Sequence, residues 1–99
     1  MNFDPVLLGP RLQAMKDAGL WRDETINLHF ARAVRNCPEK TAVVAYRDGR
    51  EQALRLTYRE LDARVDRVAR SLAALGVGHG DVVSYQLPNW WEFMSLALA

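Results

Sequence analysis

The chain has 99 residues, 49% hydrophobic and 25% charged, which fits one small folded domain or a piece of a larger one and argues against disorder. A formal net charge of +1 gives no electrostatic case for nucleic acid or an anionic membrane surface. A single cysteine, Cys37, excludes an internal disulfide framework and suits a reducing compartment, so the chain reads as cytoplasmic.

At the N-terminus, Met1-Asn2-Phe3-Asp4-Pro5 lacks the basic and apolar regions of a signal peptide, and residues 1–9 read as loosely structured. No apolar run anywhere approaches the roughly 20 residues that span a bilayer. Gly9-Pro10 opens a short helix, because proline is tolerated at the first helical position; Leu12, Met15 and Ala18 form its apolar side and Gly19 its stop. Leu20-Trp21-Arg22-Asp23 connects it to a second helix, from about Leu28 to Cys37, capped by Asn27 or Thr25. Ile26, Phe30, Val34 and Cys37 line one side of that helix, and Pro38 prevents its continuation. On this apolar side Cys37 reads as a buried structural thiol, with no nearby histidine or helix N-terminus to activate it.

Thr41 to Tyr46 is a valine-rich strand, Asp48-Gly49 supplies a hairpin turn, and about Gln52 to Leu56 returns. The central helix follows with both ends marked. Thr57 and Glu60 form a T-x-x-E capping box, and Leu56 and Leu61 stand at the two positions of a hydrophobic staple. Leu61, Val65, Val68, Ala69, Leu72 and Leu75 gather on one face; Arg59, Glu60, Asp62, Arg64, Asp66, Arg67 and Arg70 fall on the other, which reads as solvated. Glu60–Arg64 and Asp66–Arg70 are acid-before-base pairs four apart. Gly76 sits where a left-handed residue ends a helix. Val82-Val83-Ser84-Tyr85-Gln86-Leu87 is then a buried strand, which makes a βαβ unit with a right-handed crossover and parallel flanking strands. Pro88 ends it, and Asn89 with Glu92 opens a last helix. That helix is apolar nearly all round from Trp90 to Ala99, interrupted only by Glu92 and Ser95. Such a helix needs cover on several sides, so the 99 residues are expected to be the front of a longer protein.

The residues themselves assign no active site. Gly76-Val77-Gly78-His79-Gly80 follows a helix and precedes a strand, the reverse of a phosphate-binding loop, and reads as a chain-reversing turn. Two histidines, His29 and His79, do not make a zinc site, which normally asks for at least three protein ligands. The two lysines, Lys16 and Lys40, have no context that would lower a pKa, and the carboxylates pair with arginines on the helix face. Trp90-Trp91 reads as core packing at the head of an apolar helix. No catalytic, cofactor-binding or metal-binding residue is assigned.

The ordered run of motifs nevertheless resembles the N-terminal signature of the adenylate-forming (AMP-binding) ligases. It comprises Thr57-Tyr58-Arg59-Glu60-Leu61-Asp62, Ala69 through Leu75-Gly76-Val77, Gly80-Asp81-Val82-Val83 and Gln86-Leu87-Pro88-Asn89. Upstream, Ala18 to Thr25 and Asn36 to Val44 match as well. The stretch Tyr85 to Phe93 is similar to the branch that activates short- and medium-chain fatty or cyclic carboxylic acids as CoA thioesters, while Gly19-Leu20-Trp21-Arg22-Asp23 has a Gly-x-Trp-x-Asp pattern shared with a branch that activates aryl acids. The resemblance implies a two-step ligase that uses ATP, Mg2+ and coenzyme A on a fatty, cyclic or aryl carboxylic acid. Its phosphate loop, acidic nucleotide-binding residues and catalytic lysine have no counterpart between Met1 and Ala99, so the matched residues are scaffold, expected to be inactive alone and to bind none of these molecules. The expected fold is α/β: the N-terminal part of the adenylate-forming enzyme fold, incomplete, with helices packed on a small sheet made of a β-hairpin plus a βαβ unit. Residues 1–99 would be the N-terminal portion of the large AMP-binding domain, with 1–26 an N-terminal extension and 27–99 the start of the N-terminal subdomain. Two rival readings are a self-contained interaction module that dimerises through the apolar face of 90–99, and a Rossmann-like nucleotide-binding domain, which the misplaced glycines disfavour.

Overall fold

Residues 8–47, 49 and 51–99 are described in a computed structural model, and they form, in chain order, α1 (Gly9–Asp17), α2 (Ile26–Asn36), β1 (Thr41–Ala45), β2 (Leu54–Thr57), α3 (Tyr58–Ala74) and α4 (Trp91–Leu98). The reading of residues 1–7 and the Asp48 half of the turn dipeptide lie outside the described residues; Gly49 adopts φ +78°, as a tight turn requires.

α1 starts at Gly9-Pro10 and buries no residue; Leu12 and Met15 are half-buried. It stops where Gly19 turns to φ +67°, and a 3.3 Å ion pair between Lys16 and Asp23 ties it to the connection that follows. α2 begins at Ile26 rather than Leu28. Its cap is Thr25, whose Oγ accepts from the Leu28 N–H at 3.2 Å. Cys37 is half-buried and donates its Sγ–H to the Ala33 carbonyl at 3.3 Å. Ile26, expected on the apolar side, faces water.

β1 and β2 pair antiparallel, with Val43 opposite Leu56 and Ala45 opposite Leu54. The register slips between Thr41 and Val43. Such a bulge breaks the alternation of side chains, and the consecutive residues Ala42 and Val43 both pack against the core. That core consists of Leu61, Val65 and Leu98 with Phe30, Ala42 and Val43 against them, so it draws on α2, β1, α3 and α4 together. Leu56 and Leu61, the staple pair, are each 2% exposed. Burying a leucine side chain fully stabilises by roughly 1.5–3 kcal/mol relative to leaving it in water.

α3 is closed at both ends by its own sequence. The capping box forms as read: Thr57 Oγ accepts from the Glu60 N–H at 3.2 Å, and Glu60 Oε2 accepts from the Thr57 N–H at 2.8 Å. With Glu60 turned back to the cap, its pairing with Arg64 is absent among the described ion pairs, whereas Asp66 and Arg70 do pair. At the other end, Gly76 at φ +85° donates to Ala73 O at 3.0 Å and Val77 donates to Leu72 O at 3.1 Å. This is the Schellman arrangement, which satisfies two carbonyls of the last turn. Leu75, read as the last apolar-face residue, is 81% exposed: it is the C-cap, and no described element lies over it.

The expected strand at 82–87 enters no ladder. The only sheet among the described residues is the hairpin, so the βαβ unit with parallel strands and a crossover is not formed within them. The physical reason is that a helix satisfies its own backbone whereas a strand needs a neighbour, and none of the other described segments lies alongside. The last helix also differs from the expectation. Its N-cap is Trp90, not Asn89, with no side-chain cap bond, and only Ser95 and Leu98 along it are buried.

Candidate functional site

Two arginines hold the start of α4. The Arg47 guanidinium, just past β1, lies 4.5 Å from the centroid of the Trp90 ring and donates to Glu92 Oε1 at 2.7 Å. Arg64, on the second turn of α3, lies 4.3 Å from the Trp91 centroid. Each such stack is worth about 0.5–1 kcal/mol at exposed positions. At the far end, Asn27 Nδ2 donates to the Leu98 carbonyl at 2.8 Å, satisfying one of the acceptors a helix end leaves unpaired. An eight-residue helix is marginal by itself. Side chains from the hairpin, α3 and α2 therefore fix α4 in place.

This arrangement is structural in its chemistry. Beside α4 lies a groove of about 290 Å³ in which His29 and Tyr58 are the only polar side chains among apolar ones such as Ile26, Phe30, Met94 and Leu98. His29 is engaged at its mouth: its Nε2 is 3.0 Å from Glu24 Oε2, and Arg32 approaches the other oxygen of Glu24 at 3.6 Å. Among the described residues no group of three or more His, Cys, Asp or Glu side chains comes together that could hold a metal ion.

At the α3 N-terminus and in the glycine turn, most of the backbone amides that could cradle an anion are engaged by the chain itself. In the first turn of α3, the Tyr58 N–H goes to Lys40 O and the Arg59 N–H to Pro38 O, both at 3.0 Å, and the Glu60 N–H goes to Thr57 Oγ. In the glycine turn, the Gly76 and Val77 amides close α3, and the Gly78 N–H donates to Asp81 Oδ2 at 2.8 Å. A phosphate there would have to displace protein acceptors, which counts against a Rossmann-like reading. The sequence reading missed the roles of Arg47 and Arg64. Helical periodicity assigns Arg64 to the solvated face, and Arg47 meets Glu92 across 45 residues, a pairing that no local pattern announces.

The sequence profile of the family described as AMP-binding enzyme matches residues 30–99, through β1, β2, α3 and α4. The chain belongs to that family. It is 38% identical over 82 residues to the 2-hydroxy-7-methoxy-5-methyl-1-naphthoate–CoA ligase of Streptomyces carzinostaticus, covering 83% of this chain and 14% of that protein. It is 39% identical over 83 residues to the salicyl-AMP ligase / salicyl-S-ArCP synthetase of Mycobacterium tuberculosis, covering 84% and 14%. It is 33% identical over 89 residues to the medium-chain fatty-acid–CoA ligase of Escherichia coli, covering 90% and 15%. The chain thus spans about one-seventh of the length of these three relatives. No solved structure matches it significantly. No helix among the described residues is long and apolar enough to cross a membrane.

Proposed function

We propose that these 99 residues are the N-terminal portion of the large AMP-binding domain of an ATP-dependent carboxylic acid–CoA ligase, with 1–26 an extension and 27–99 the start of the N-terminal subdomain. In the complete enzyme a substrate carboxylate attacks the α-phosphate of ATP and expels pyrophosphate. The thiol of coenzyme A then attacks the acyl carbon of the adenylate and expels AMP. The part played by this stretch is to hold the sheet hairpin, α3 and α4 as a scaffold. The observation that carries the reading is the family match over 30–99 joined to relatives that are acid ligases by name. It is supported by the geometry, in which the Tyr58, Arg59 and Glu60 amides of the α3 N-terminus and the Gly76, Val77 and Gly78 amides of the glycine turn are consumed by the chain. Magnesium belongs with ATP in this chemistry, but the described carboxylates form no cluster suited to it, so no step through the metal is assigned to these residues.

For the acid itself, the naphthoate and salicyl relatives match at 38–39% and the medium-chain fatty-acid relative at 33%. An aryl acid therefore ranks ahead of a fatty one. Acid-dependent ATP–pyrophosphate exchange, run on the full-length polypeptide with a panel of aryl, cyclic and medium-chain acids, tests both points. The expected result is exchange with at least one acid, highest with an aryl acid, and none from residues 1–99 alone. Exchange catalysed by the 99-residue chain itself would defeat the scaffold assignment.

A further inference from the structure

We draw no further inference here: the strongest candidate, the apolar groove of about 290 Å³ between α2, β1 and the Met94–Leu98 side of α4, carries none because nothing in the structure shows what covers it.

Discussion

Residues 54–77 and residues 82–94 hold similar proportions of apolar side chains and behave in opposite ways. In the first region β2 has its partner, α3 is capped at the front by Thr57 and Glu60 and at the back by Gly76, and Leu56, Leu61 and Val65 are buried. In the second, the backbone of 82–87 is unpaired and Val82, Val83, Tyr85, Phe93 and Met94 all remain substantially exposed. The difference lies in where the satisfying groups reside. A helix and its caps draw on residues within four positions, whereas a strand draws on residues of unlimited separation.

Six substitutions would break or sharpen this contrast, measured by denaturant unfolding of the 99-residue chain. Leu61→Ala should cost roughly 2–5 kcal/mol, because it removes the centre of the shared core. Val82→Ala, at a residue 56% exposed, should cost within about 0.5 kcal/mol. Similar losses at the two positions would mean that the second region is as well packed as the first. Gly76→Ala should cost about 1–2 kcal/mol: no atom lies within 4 Å of the added Cβ, so the whole penalty is the left-handed backbone at φ +85°. Gly78→Ala has no positive φ to strain and only Asp81 Oδ2 at 3.9 Å nearby, and should be close to neutral. Equal effects of the two glycine changes would contradict the assignment of Gly76 as the closing residue of α3. Thr57→Ala should cost about 1 kcal/mol through loss of the cap, seen as a lowered denaturation midpoint with an unchanged slope. Ser95→Ala should be neutral or stabilising by up to about 1 kcal/mol. Ser95 is 1% exposed and its Oγ has no described partner, so deleting the hydroxyl removes a desolvated polar group. A marked loss at Ser95 would reveal a partner for that hydroxyl.

What could be read in the sequence follows the same division. Both ends of α3, the hairpin and the start of α1 were legible because each is signalled by neighbouring residues. At the start of α2 the sequence left Thr25 and Asn27 open as caps; Thr25 takes that role, and Asn27 is drawn instead to the Leu98 carbonyl, 71 residues away. Periodicity placed Leu75 with the apolar face because it counts positions, not covering elements. The valine-rich composition of 82–87 signalled a strand but could not supply the ladder. The clasp of Arg47 and Arg64 on Trp90 and Trp91 was illegible for the same reason, since both stacks join distant elements. The family was legible, by contrast, because its pattern runs through the local features of α3 and the glycine turn, and the profile match covers that same stretch.

Residue-resolved amide exchange of the 99-residue chain tests the central contrast most directly. The amides in the middle of α3, around Val65 to Ala69, should be protected together, while those of 82–87 exchange at close to the rate of an unstructured peptide. Uniform protection across 61–87 in a dilute monomer would contradict the account, because it would mean that the second region is satisfied by the chain's own residues.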